Sequence, residues 1–161
     1  MTSAKMSLWH LLDPLRPDSL FSCLSPTYAQ MAIPLPQRGI DNIPPALASL
    51  CSLDSSSTNE NNSYFNAAHA LALIPEKNAG VGYTEPFHRH MHSRFRHLLL
   101  AERDPVALVL LYIWFEKSRR GVWWIELRAR VESPAICTYL RAHHGDKAQV
   151  LAFLPAYDHV T

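Results

Sequence analysis

The sequence predicts an all-α fold, a single-domain helical array built around one buried central helix. Three observations carry the prediction. Residues 106–115 are ten consecutive apolar or aromatic residues directly behind Asp104-Pro105. Elsewhere apolar residues recur at steps of three and four, the period of a helix with one inward face. No stretch alternates at period two for long enough to build a sheet, and there is no internal repeat. With 161 residues, 48% of them hydrophobic and 18% charged, the chain suits one domain, and two would be cramped.

The elements follow in order. Residues 1–40 hold Pro14, Pro17, Pro26, Pro34 and Pro36, which limit any helix there to a turn or two by removing donors and crowding the preceding turn. This stretch is expected to be an arm with short helical pieces at 7–12 and 18–24. Leu20, Phe21 and Leu24 are among the residues that give these pieces an apolar face, and the sequence leaves open whether the arm docks on the core. Residues 41–161 are expected to form a helical small-molecule-binding domain. Pro44 and Pro45 suit the first positions of a helix over 46–51, where a missing N–H goes unnoticed. Residues 53–63 are a polar loop whose side chains compete for the backbone. Tyr64, Phe65, Ala68, Leu71 and Ala72 then fall at helical spacing up to Pro75.

Gly80 and Gly82 mark the next loop, with Thr84 expected to cap a helix bearing the stripe Phe87, Met91, Phe95, Leu98 and Leu99. Asp104-Pro105 restarts the chain as cap and first-turn proline, and the apolar run that follows is the central helix. Gly121 is expected as a left-handed stop. A helix over 122–131 would place Trp123, Trp124 and Leu127 inward, Ser133-Pro134 would open the next one, and a short helix at 147–154 would close the fold. The expected core is Leu71, Phe95, Leu98, Leu108, Leu111, Phe115, Trp123, Leu127, Ile136 and Leu140.

Composition excludes several functions. Fifteen basic and fourteen acidic residues give a net charge of +1, which provides no drive towards a phosphate backbone, so direct nucleic-acid binding is not expected. Ten apolar residues fall short of the ~20 that a membrane span needs. The N-terminus shows no signal-type apolar segment, so an intracellular location, cytoplasmic or nuclear, is expected. Cys23, Cys51 and Cys137 form no CxxC pair and read as small buried hydrophobes. No phosphate loop, dinucleotide fingerprint, nucleophile elbow or zincin motif occurs, and no cofactor is expected. His88 and His92 stand one turn apart, but they lack a third ligand and are flanked by Arg89, Arg94 and Arg96. The segment reads as a solvated basic face and no metal site is assigned.

What remains is a polar minority among apolar helices. His69, Tyr112 and Tyr139 can donate hydrogen bonds from helices expected to face the core. Trp114, Trp123, Trp124, Phe115, Leu111 and Phe95 can wall an apolar pocket between them. Each also has an ordinary reading as a packing residue.

Three stretches resemble a known family: Ile43-Pro44-Pro45 with Leu50, Leu53-Asp54-Ser55-Ser56 and Asn61-Asn62-Ser63-Tyr64-Phe65; Asp104-Pro105 with Ala107-Leu108-Val109-Leu110-Leu111; and Trp123-Trp124 with Arg128 and Arg130. In order and spacing they are similar to the C-terminal part of the ligand-sensing regulatory domain of fungal zinc-cluster transcription factors, of the sterol-sensing type, over roughly residues 41–142. The resemblance implies an all-helical region holding an apolar small-molecule pocket. The family's six-cysteine cluster is not among these residues, so a copy without the DNA-binding module is expected.

Two functions follow as expectations. The first is a cofactor-free cyclase or isomerase of fungal secondary metabolism, a pericyclase of Diels-Alder type. It would fold an apolar terpenoid, polyketide or sterol-like molecule between aromatic walls, with Tyr112, His69 or Tyr139 as the activating donor. The alternative is a ligand-sensing remnant of a transcription regulator that acts through protein partners and needs an exposed apolar patch. A possible homodimer accompanies either.

Overall fold

The Asp104 carboxylate opens the central helix and anchors it at once. It accepts the Ala107 amide at 2.8 Å as an N-cap and the Tyr64 hydroxyl at 2.9 Å, while Pro105 occupies the first turn. The computed structural model describes residues 13, 15–77, 79–90 and 94–156. Among these, eight α-helices and no strand are present, and an isolated bridge joins Arg38 and Thr58.

A 3-10 turn at Ser22–Leu24 leads into α1 (Ser25–Met31), followed by α2 (Pro45–Leu50), α3 (Phe65–Ala72) and α4 (Val81–His90). After α5 (Arg94–His97), a π-helical turn at Leu98–Glu102 ends on Arg103 in the left-handed conformation, φ 48°. The chain reverses there into α6 (Pro105–Ser118), then α7 (Trp123–His143) and α8 (Ala148–Leu151). The expected short piece at 7–12 lies outside the described residues.

The all-α expectation holds, with α6 at the centre. It packs most extensively on α7 and also touches α3, α4 and α8, while α1 lies against α4. Ala107, Val109, Leu110, Trp114 and Phe115 are essentially inaccessible. Of the expected core, Leu71, Phe95, Leu111, Phe115, Ile136 and Leu140 are buried, and Leu98 and Leu108 are half-buried.

Trp123 and Leu127 are not in the core: they are 74% and 56% exposed. The reason is that Ser133-Pro134 does not restart the chain. One 21-residue helix runs through Pro134, which is itself exposed. The phase of that helix is set by Ile136 and Leu140 in its second half. Carried back at 3.6 residues per turn, the same face takes Ile125 and Ala129 and turns Trp123 and Leu127 outward. Pro134 costs α7 the N–H that would bond the Arg130 carbonyl, and burial of one shared face on both sides keeps the helix continuous.

Other expectations change as well. Thr84 does not cap α4 but is buried in its fourth position, with its hydroxyl donating to the Val81 carbonyl at 3.1 Å. Gly82 lies inside α4 because the helix presses on α1 there. A Cβ on Gly82 would approach the Thr27 carbonyl oxygen to 2.8 Å. Gly121 is not in the left-handed region. Its lack of a Cβ serves a close approach instead, since a methyl there would land on the Ala79 carbonyl. Residues 18–24, where a helical piece was expected, form turns and the 3-10 piece, and Leu20, Phe21 and Leu24 are exposed.

Two substitutions test these assignments in urea unfolding. Asp104→Ala removes a cap and a half-buried acceptor, and the expected loss is about 1–3 kcal/mol. Gly121→Ala is expected to cost roughly 1–3 kcal/mol by forcing two backbones apart. Gly80→Ala, whose Cβ would meet nothing within 4 Å, should be close to neutral. Equal midpoints for the two alanines would contradict the close-approach account.

Candidate functional site

The aromatic residues proposed as pocket walls do assemble, though on one another. Trp114, projecting from α6, stacks on Phe87 of α4 with centroids 5.5 Å apart, and Phe95 meets the same Phe87 edge-on at 5.7 Å. Phe115 and Trp124 lie 5.2 Å and 6.3 Å from Trp114. The indole N–H of Trp114 donates to the Thr84 carbonyl at 3.1 Å, which satisfies its one polar atom. Trp114 is only 1% exposed, so this cluster is filled by its own rings. Trp124 is half-buried against His88 and Trp114, and Leu111 is buried in the same core. Trp123 takes no part, for the reason given above.

The three expected donors do not converge. His69 is 2% exposed on α3, beside Phe65, with its Nε2 3.1 Å from the Gly39 carbonyl. A carbonyl only accepts, so this nitrogen carries the proton. Burial pulls the His69 pKa below its ordinary value, against smaller opposing effects of the Gly39 bond and Asp41. Tyr112 is half-buried on α6, and burial raises its pKa, assisted by Glu116 and Cys137. Tyr139 is half-buried further along α7, stacked on His143 at 4.5 Å. No hydrogen bond or ring contact links any two of the three.

The cysteines divide. Cys51 and Cys137 are buried, and burial raises both thiols, Cys51 to about 12 with help from Asp104. Both are therefore inert thiols at neutral pH. Cys23 is exposed, contrary to the expectation for all three. Among the described residues no three potential ligands gather around a metal position. His88 instead faces Glu85 at 3.5 Å and His97 faces Glu102 at 2.9 Å, and His92 lies outside the described residues.

Two concavities with partly apolar linings lie outside the aromatic cluster, besides a charged one of about 360 Å³ bordered by Arg119, Arg120, Glu126 and Arg130. A pocket of about 200 Å³ is formed by Leu47, Leu71, Ile113 and Phe153 with the stem of Lys117. Its ammonium donates to the carbonyls of Ile74 at 3.0 Å and Leu71 at 3.4 Å, closing the C-terminal end of α3. The second is an open groove of about 620 Å³. Its lining comes from residues 31–37, from Thr58, Asn59, Glu60 and Asn66, and from Pro86 and Arg89 of α4.

In that groove Asn66 Nδ2 donates to Asn59 Oδ1 at 2.7 Å, and Arg89 donates to the Met31 carbonyl at 3.1 Å. Each keeps further donors for a ligand, since an amide carries two N–H groups and a guanidinium five. Sequence reasoning missed this site because it treated 31–37 as arm and 58–60 as loop. The signal available was the Pro-x-Pro at 34–36, a rigid wall that needs no hydrogen bonds of its own.

His69 supplies a test. The unfolded chain protonates this imidazole near its ordinary 6.5, while the folded one resists. Its contribution to stability is therefore complete above that pH and is lost as pH falls from it towards the lower folded value. The difference in unfolding free energy between the parent and His69→Gln should shrink as pH drops through 6.5. A difference independent of pH would show that His69 is not buried in the neutral form. Compared with known proteins, this chain matches no family model, no curated protein and no solved structure.

Proposed function

We propose that this protein binds a mainly apolar small molecule carrying at least one hydrogen-bonding oxygen, in the groove between residues 31–36 and α4. The observation that carries the reading is the groove itself. Its volume of about 620 Å³ falls in the range of small-molecule sites, roughly 300–1,000 Å³. Pro34, Leu35, Pro36 and Pro86 offer apolar walls of low conformational freedom, so little entropy is lost when a ligand settles on them. Asn59, Asn66 and Arg89 line the groove together with Glu60 and offer donors to a ketone or hydroxyl of the ligand. A terpenoid, polyketide or sterol-like ligand meets that description. The resemblance of residues 41–142 to a ligand-sensing domain supports binding of such a molecule, while the part of the groove at 31–37 lies outside that stretch.

The catalytic form of the proposal is a cofactor-free ring closure of the bound molecule. It would act by restricting the conformers of a flexible chain and by donating to a carbonyl that activates it. Within this groove the donor would be Arg89 or Asn66, because Tyr112, His69 and Tyr139 do not line it.

The test is a ligand panel of terpenoids, polyketides and sterols, titrated by calorimetry and followed for product by mass spectrometry. A binder should raise the melting temperature of the parent. Arg89→Ala should weaken it by roughly tenfold or more, the value of a charge-assisted hydrogen bond, and Asn66→Leu should weaken ligands that carry a carbonyl. Tyr112→Phe should leave binding unchanged. Ligands that bind the parent and both groove variants equally would move the site elsewhere.

A further inference from the structure

The outward face of α7 is built for contact, yet no described residue covers it. Trp123, Leu127 and Val131 stand at i, i+4 and i+8 and are 74%, 56% and 71% exposed. They form one apolar ridge opposite Ile125, Ala129, Ile136 and Leu140, which already bury the inner face completely or nearly so. The ridge is thus surplus to the core, and its indole is the largest exposed side chain on the helix. A ridge of residues four apart is the surface that one helix presents to the grooves of another.

The charges beside the ridge decide what can cover it. On one flank Arg130 pairs with Glu126 at 2.7 Å. On the other, Arg128 makes two bonds to Glu132, at 2.6 and 3.1 Å, and its guanidinium is turned back over the Phe115 ring, 5.7 Å from the centroid. The four charges sum to zero. Arg119 and Arg120 border the flank of Glu126 and Arg130, Arg119 paired with Glu116 at 3.2 Å, so one basic side chain is left over beside the ridge, fewer than the cluster of several that an anionic lipid surface recruits. A helix of the same sequence running the other way is complementary to the first flank. It presents the first flank in reverse order, so that Glu126 faces the mate's Arg130 and Arg130 the mate's Glu126, while Arg128 is held out of the contact.

We propose that α7 docks antiparallel on α7 of a second copy of this chain, with Leu127 close to the two-fold axis and Trp123 against the mate's Val131. The contact is isologous, so it closes at two copies. It leaves the groove at residues 31–36 open, and each copy keeps its own.

Sedimentation equilibrium from micromolar to submillimolar concentration tests this. The parent should pass from monomer to dimer across the range. Leu127→Glu should remain monomeric with an unchanged helical circular dichroism spectrum. Glu126→Arg and Arg130→Glu should each weaken self-association by roughly tenfold, by setting like charges opposite each other, while an equimolar mixture of the two should form a heterodimer at parental strength. A parent that stays monomeric throughout would overturn the proposal. So would a Leu127→Glu variant that dimerises like the parent, or a mixture no stronger than its components. Binding of a monomeric parent to anionic vesicles that is lost with Leu127→Glu would assign the ridge to a lipid surface instead.

Discussion

Burial of the Trp114 indole is the constraint on which the arrangement of α4, α6 and α7 depends. A side chain of this size on the central helix can be hidden only if neighbours supply both ring contact and a hydrogen-bond acceptor. Phe87 and the Thr84 carbonyl come from α4, Trp124 from α7, and Phe115 from α6 itself. The demand for an acceptor explains why Thr84 is inside α4 and not at its start. Its carbonyl accepts the Trp114 indole N–H from the first turns of α4, which starts three residues earlier and brings Gly82 against α1.

The same packing defines where a ligand can and cannot go. A cluster with a fully hidden indole has no space for a guest, and interiors of this density exchange contents only by moving whole side chains. A concave surface lies instead where the proline-rich stretch at 31–37 and α4 border one groove. Pro34 and Pro36 lack donors and the backbone groups of α4 are used within the helix, so neither side pairs with the other by backbone hydrogen bonds. The groove is in this sense a by-product of composition, and the amides of Asn59 and Asn66, the Glu60 carboxylate and the guanidinium of Arg89 give its lining polar groups.

Much of the helical order was legible in the sequence, and the exceptions have a common physical origin. Asp104-Pro105 reads correctly because capping is local: the donor it satisfies lies three residues away. Thr84 and Ser133-Pro134 carry the same local signature but lie inside helices, because there the demands of packing outweigh the cap. The misplacement of Trp123 and Leu127 follows from the second of these. Once the helix is taken as two pieces, nothing transmits the phase dictated by Ile136 and Leu140 to the first turns. The expected aromatic walls were largely gathered, since Trp114, Phe115, Trp124 and Phe95 share one cluster. The groove was not legible, because its residues come from four separate stretches that only the tertiary fold brings together.

The contact at Gly121 has a consequence for how this protein can change over evolutionary time. The turn that joins the two longest helices rests, backbone on backbone, upon the connection between α3 and α4. Two surface connections, ordinarily the freest parts of a chain to lengthen or shorten, are here each other's template. An insertion in one displaces the other, so variation in loop length, by which a helical scaffold usually acquires new surfaces, is restricted on this side of the molecule. It is left to the polar loop at 53–63 and to the proline-rich stretch, two segments that border the groove together with α4.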